Sequence, residues 1–371
     1  MRVLMSGGGT AGHIYPALAV ADRLLADGHD VTFIGTPDGL EARLVPEAGV
    51  AFRGVRSRGF DRGNPITLLT SAFIAGVSVV RSIFIVRSLR PDVVLGFGGY
   101  VSLPVGLAAV LTRTPLVLHE QNSVPGLANR VLARWADAVC VTYPDSADGL
   151  GTPERAVVTG NPVRAAVSDA SRDRGRARFG VGDRDVMLLV FGGSRGARRI
   201  NDAMVSSARA LLADPALRVV HVAGRIEAEA VADRVREQLG RDDERYRVID
   251  YIDEMGDAIA ASDVVVARAG ATSIAELTVV GRPAVLIPYP YATEDHQTRN
   301  ARAVAEAGAA VVIADETVDG HTLAGAVLGL VSDPGRRERM AAAARTLGRP
   351  DAAARVADQA RDAVAARKEK R

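Results

Sequence analysis

Short runs of aliphatic and β-branched residues recur along the chain, separated by longer stretches in which apolar positions return every three or four residues. A first set lies at 3–5, 31–34, 93–96, 116–119, 138–141 and 156–159. A second lies at 186–191, 218–222, 247–250, 264–267, 284–287 and 310–313. Runs without polar alternation mark strands buried on both faces. The longer stretches, as at 16–27 and 200–213, carry helical periodicity. Such alternation predicts an α/β chain of right-handed βαβ units with parallel sheets. The pattern restarts midway: Gly160-Asn161-Pro162-Val163-Arg164 is turn-rich, and a charged stretch follows at 169–178. A domain boundary is therefore expected near residue 163, and the tail at 351–371 reads as an Ala-rich helix with a basic end.

Length and composition support this division. A chain of 371 residues suits two domains. Its 48% hydrophobic content, with only 4% aromatic residues, suits layers of Val, Leu, Ala and Gly. A net charge of +2 argues against a nucleic-acid partner. Cys140 is the only cysteine, so no intrachain disulfide forms. Met1 to Ser6 run straight into a glycine loop and do not read as a signal peptide. The longest apolar stretch, about 66–80, ends at Arg81 and falls short of the ~20 residues a spanning helix needs. A cytoplasmic protein is expected, with room for attachment at a membrane surface.

The candidate chemistry sits in loops that follow strands. Gly7-Gly8-Gly9-Thr10-Ala11-Gly12-His13 joins the first strand to a helix. Glycines let a ligand approach the backbone, and a helix start offers free N–H groups. Gly7, Gly9 and Gly12 fit a dinucleotide fingerprint, but the second strand ends Phe33-Ile34-Gly35-Thr36 without the acid that a ribose requires. His13 reads either as a helix-start residue bonded to a neighbour or as a general base, since an imidazole titrates near neutral pH. Gly96-Phe97-Gly98-Gly99-Tyr100 is a second such loop, suited to an anion nest or simply to a tight turn. His119-Glu120-Gln121-Asn122 places four polar side chains at a strand's C-terminal end, the rim where open α/β sheets bind ligands.

The second half repeats the layout. In Gly192-Gly193-Ser194-Arg195-Gly196 the Ser194 hydroxyl and the following N–H groups are suited to a phosphate. The small residues of Gly270-Ala271-Thr272-Ser273 allow close approach. Glu276 suits either a ribose diol or pairing with the helix dipole. Glu294 to Asn300, including His296 and Gln297, offers amides and carboxylates suited to sugar hydroxyls. One cysteine and scattered histidines give no metal constellation, and Asp183-Arg184-Asp185, in a charged loop before a strand, reads as incidental. No metal or other cofactor is expected. Arg53, Arg56, Arg58 and Arg62 surround Phe60, and the apolar segment 66–86 follows. That composition fits either an anionic-lipid surface or a buried helix behind a solvated loop.

Taken in order, these motifs resemble the MurG family of GT-B glycosyltransferases. The resemblance runs over nearly the whole chain. It includes the glycine loop through His13, Gly35-Thr36 with Glu41, Gly98-Gly99-Tyr100, His119 to Asn122 and Gly160 to Arg164. It continues through Gly192-Gly193-Ser194, Tyr251-Ile252-Asp253, Gly270 to Glu276, and Gln297 with Asn300. It implies two Rossmann-like domains with parallel sheets facing across a cleft. Residues 1–163, joined by a C-terminal helix of about 345–371, would face acceptor and membrane, and 164–344 would hold the donor.

The resemblance also implies an inverting transfer of N-acetylglucosamine from UDP-N-acetylglucosamine to the C4 hydroxyl of undecaprenyl-linked lipid I, at the cytoplasmic membrane face. Ile252 would meet uracil, Glu276 the ribose, Ser194 the diphosphate and Gln297 the sugar, with Ala271, Thr272 and Ser273 beside them. Thr10, Ala11, Gly12, Asn122 and Arg164 would complete the donor site. Gly8, Gly9, Gly98, Gly99 and Tyr100 would face the acceptor diphosphate. His13 would be the base, with Glu120 or Asn122 positioning groups, and the 53–62 loop and segment 66–86 would touch an anionic bilayer. Two positions depart from the pattern: Ala11, where many relatives have Gly, and His296, where some have Gln. A UDP-N-acetylglucosamine 2-epimerase of the same fold and a non-catalytic nucleotide-sugar sensor are the rival readings.

Overall fold

The computed structural model describes residues 1–57, 65–193 and 197–369; within these, the side chains of 65–75 are not described. Its contacts divide the chain into two units: Met1–Arg164 with Arg349–Arg371, and Ala165–Gly348. The division thus falls after Arg164 and after Gly348 rather than at 163 and about 344.

The first unit holds a seven-stranded sheet. Its strands are β1 (Arg2–Ser6), β2 (Asp30–Gly35), β3 (Ala51–Gly54), β4 (Val93–Gly96), β5 (Leu116–Glu120), β6 (Ala138–Val141) and β7 (Ala156–Val158). They are ordered β3-β2-β1-β4-β5-β6-β7, and every pairing is parallel. The second unit holds β8 (Val186–Phe191), β9 (Leu217–Val222), β10 (Tyr246–Ile249), β11 (Val264–Ala267), β12 (Ala284–Leu286) and β13 (Ala310–Val312). Their order is β10-β9-β8-β11-β12-β13, again all parallel. Strand order reverses between β1 and β4, and again between β8 and β11. In open α/β sheets these are the points where loops diverge and ligands enter.

The core explains the apolar runs. Every residue of β4, β5 and β11 is buried, because helices cover both faces. Strand β3 was not expected from the sequence. It is a four-residue edge strand paired only with β2, and its Ala-Phe-Arg-Gly run alternates exposed and half-buried positions. Arg53, expected in a basic loop, lies in this strand. The helix Ala352–Glu369 closes the first unit. Its Val356, Ala357, Ala360, Ala363 and Val364 repeat at helical spacing and bury against Val3, Met5 and Val93. Arg361 reaches Asp27 at 3.1 Å on the same surface.

Candidate functional site

In the first unit the switch point is lined by the loops after β1 and β4. Thr10, in extended conformation, precedes the helix Ala11–Ala26, and its side chain caps none of that helix's N–H groups. Instead Thr10 Oγ1 lies 3.0 Å from His13 Nδ1. Gly98 and Gly99 have φ of +88° and +78°, a region that side chains avoid. A Cβ at Gly98 would come within 3.0 Å of His13 Cδ2, and one at Gly99 would collide with the Gly8 carbonyl oxygen. The two glycine loops are therefore in backbone contact, with the imidazole edge against the second. The Tyr100 ring lies over Gly9. Beneath them Ser102 Oγ donates to the Gly98 carbonyl at 2.7 Å. Fully buried Glu41 accepts from Thr36 N at 2.9 Å and from Thr36 Oγ1 at 2.6 Å, packed beside Gly8.

The rim after β5 is held by Glu120. Its carboxylate is buried and meets four donors: Asn122 N at 3.0 Å and Asn122 Nδ2 at 3.5 Å on Oε1, Gly126 N at 2.9 Å and Asn129 Nδ2 at 2.8 Å on Oε2. Burial pushes its pKa up, and these bonds partly oppose the shift. Glu120 thus fastens the loop that carries Asn122. His119 is also buried, donates from Nε2 to the Gly160 carbonyl at 3.1 Å, and is held down at about 4 chiefly by burial. Arg164 stacks over the Tyr15 ring at 4.5 Å, on the helix that Thr10 precedes.

In the second unit the loops after β8 and β11 line the switch point. Gly192 and Gly193 follow β8, while Ser194, Arg195 and Gly196 lie outside the described residues, as do Arg58, Phe60 and Arg62. Gly270 precedes the helix Ala271–Val280, on which Ala271 and Glu276 are buried and Thr272 and Ser273 half-buried. The buried Asn300 side chain approaches the Ala269 carbonyl at 3.5 Å, tying that loop to the helix His296–Glu306. Arg268 is fixed by Asp315 Oδ1 at 2.5 Å and by the carbonyls of Ile287 and Pro288. Gln297 Oε1 accepts from Tyr289 N at 2.9 Å, which orients the amide. Before it, Glu294 and Asp295 both have φ of +53°, consecutive left-handed residues of the kind that cluster at ligand sites. His296 Nδ1 lies 2.8 Å from the Thr293 carbonyl. Ile252 is buried after β10, beside Tyr251 under the Arg225 guanidinium.

Of the predicted residues, those that are described lie at the C-terminal rims of the two sheets, each set within its own unit. Asp185 is engaged by Arg218 at 3.0 Å and by Gly182 N at 2.8 Å. Sequence reasoning missed a buried polar chain in the second unit. His221 sits between Tyr246 OH at 3.1 Å and Asn201 Oδ1 at 3.0 Å. Asn201 Nδ2 then reaches the Ala223 carbonyl at 3.0 Å and Glu227 Oε2 at 2.7 Å. The signal was present: a histidine inside the apolar run of β9.

Known proteins match this architecture along its length. Residues 3–141 match the glycosyltransferase family 28 N-terminal domain, and residues 187–356 its C-terminal domain. A UDP-N-acetylglucosamine--N-acetylmuramyl-(pentapeptide) pyrophosphoryl-undecaprenol N-acetylglucosamine transferase of Desulfitobacterium hafniense is 43% identical over 355 residues, covering 95% of this chain and 96% of the relative. The crystal structure of Acinetobacter baumannii MurG superposes with a TM-score of 0.78 at 29% identity, covering 97% and 99% of the two chains. A putative UDP-N-acetylglucosamine 2-epimerase from Listeria monocytogenes shares the fold at 16% identity and a TM-score of 0.71, covering 96% and 94%. Both halves of the family's description and a relative of full length converge, and the chain belongs to glycosyltransferase family 28.

Proposed function

We propose that this protein catalyses the inverting transfer of N-acetylglucosamine from UDP-N-acetylglucosamine to the C4 hydroxyl of MurNAc-pentapeptide-pyrophosphoryl-undecaprenol, the lipid I to lipid II step of peptidoglycan synthesis. The observation that carries this reading is Thr10, His13 and two left-handed glycines at one switch point, in a chain whose full-length relatives are transferases of this kind. The Thr10 hydroxyl orients the imidazole through Nδ1, and Nε2 takes the acceptor proton. The acceptor oxygen forms its bond to the anomeric carbon as the bond from that carbon to the diphosphate breaks, and the electron pair leaves with UDP. Backbone N–H groups at helix starts stabilise the departing charge.

In the second unit Glu276 receives the ribose hydroxyls, Gln297 the sugar, and the buried segment at Ile252 the uracil. The helix starting at Ala271 supplies further N–H groups. In the first unit Thr10, Ala11, Gly12, Asn122 and Arg164 serve the donor, and Gly8, Gly9, Gly98, Gly99 and Tyr100 the acceptor diphosphate. Glu120 acts through Asn122, since its own oxygens are engaged.

A lipid-linked acceptor supports a reaction at a membrane surface, and we assign it to the cytoplasmic face. Among the described residues no helix is long and apolar enough to cross one. The helix Pro65–Leu89 instead supports a peripheral contact: Val77, Val80 and Phe84, exposed at 53%, 54% and 67%, recur at spacings of three and four beside the exposed Arg81 and Arg87. The test is to incubate the protein with labelled UDP-N-acetylglucosamine, with and without lipid I, and to identify the products. Lipid-dependent release of UDP supports the proposal. Formation of N-acetylmannosamine without lipid refutes it.

A further inference from the structure

The buried chain from Tyr246 to Glu227 has one consistent direction. Asn201 Nδ2 gives both its hydrogens, to Ala223 O and to Glu227 Oε2, so Asn201 Oδ1 must accept from His221 Nε2. His221 Nδ1 then carries no proton and accepts from the Tyr246 hydroxyl. Burial keeps the imidazole neutral, as this order requires. The chain therefore fixes one carboxylate, that of Glu227, whose side chain is only 23% exposed.

The other oxygen of Glu227 holds Arg198. Arg198 Nε lies 3.0 Å from Glu227 Oε1, and the arginine side chain is 83% exposed. Its Nη1 and Nη2 make no hydrogen bond to any other described residue. Arg198 is the first residue of the helix Arg198–Leu211, which follows the glycine turn after β8. Side chains at a helix start lean toward its N-terminus, here toward the rim of the sheet. Glu227 stands in the loop after the neighbouring strand β9, on the same rim. A carboxylate there, unpaired, would repel a phosphate ligand. Paired through Nε alone, the guanidinium cancels that charge and still presents the planar fork that suits phosphate oxygens.

We propose that Arg198 is the cation that receives the donor's diphosphate, and that Tyr246, His221, Asn201 and Glu227 are positioning residues that hold its guanidinium at the rim. This rests on the donor reading proposed above and adds a side chain to it. An arginine already held in one orientation loses less freedom when the ligand arrives.

The experiment compares the binding of UDP and of uridine by titration calorimetry, using the full-length chain. Arg198→Gln should weaken UDP by about ten- to a hundredfold, the worth of a charge-assisted bond, and leave uridine unchanged. Arg198→Lys should recover part of the loss, because lysine keeps the charge but has no fork to serve two partners. Asn201→Leu should weaken UDP in the same direction by less, with uridine again unaffected. A purely structural role would weaken both ligands together. Equal UDP-to-uridine ratios in wild type and Arg198→Gln would overturn the assignment. The exposed Arg198 side chain makes loss of folding an implausible cause, and a thermal melt of each variant checks it. A wild-type protein that binds neither ligand would instead remove the donor reading on which the inference stands.

Discussion

His13 Nδ1 and Thr10 Oγ1 lie 3.0 Å apart, a side-chain contact across the first turn of the helix Ala11–Ala26. Because Thr10 bonds the ring rather than the helix N–H groups, one residue both orients an imidazole and leaves the helix start open to a ligand.

With His13 as the base, His13→Ala should lower kcat by about 10²- to 10⁴-fold while the donor KM stays within a few-fold of wild type. Thr10→Val keeps the shape but loses the hydroxyl, and should cause a smaller loss in the same parameter. Initial rates at saturating lipid I decide this. Turnover near wild type in His13→Ala, with donor affinity unchanged, would rule out the assignment.

Glu276 is expected to act on the donor alone. Glu276→Ala should raise the KM for UDP-N-acetylglucosamine by roughly ten- to a hundredfold, with the acceptor KM little changed. The variant's deficit should shrink when the donor carries 2′-deoxyribose, since wild type then loses part of the same contact. A deficit of equal size with both donors would contradict a ribose role.

Two buried histidines set a pH dependence. His119 is pushed down to about 4 and His221 to about 3 by burial, against about 6.5 when unfolded. Each is neutral when folded, so the unfolded chain binds more protons below pH 6.5, and stability falls as pH drops through that value. The full loss is on the order of 3 kcal/mol or more per histidine, complete only below the folded pKa. Glu120, whose pKa is raised, acts in the opposite sense. Thermal unfolding between pH 7 and 5 should show a falling midpoint, with a shallower slope in His119→Asn. Identical slopes in the two proteins would remove His119 from the account.

At the membrane, Val80→Glu with Phe84→Glu should abolish co-sedimentation with anionic vesicles. Each apolar side chain buried in lipid contributes about 1.5–3 kcal/mol. Activity on a short-chain, water-soluble acceptor should persist. Sedimentation equal to wild type would place the contact elsewhere.

The parallel sheets were legible because strands such as β4 and β11 are covered on both faces and read as unbroken apolar runs. Strand β3 was not, since an edge strand buries too little of Ala51, Phe52 and Arg53 to impose a pattern. The glycine loops were legible because Gly98 and Gly99 adopt backbone conformations that few other residues tolerate. The duties of Glu120 and Glu41 were not: each carboxylate takes backbone N–H groups as partners, and a backbone donor leaves no trace in residue identity. Asn201 and Glu227 were not legible for a different reason: their side chains meet across 26 residues, brought together by the pairing of β8 with β9.

The most direct test is the anomeric configuration and linkage of the product formed from UDP-N-acetylglucosamine and lipid I, read by NMR alongside released UDP. One UDP per turnover is expected, with a β-linked N-acetylglucosamine on the muramyl C4 oxygen, inverted from the α-linked donor. A retained α linkage, or consumption of the donor without the lipid, would contradict it.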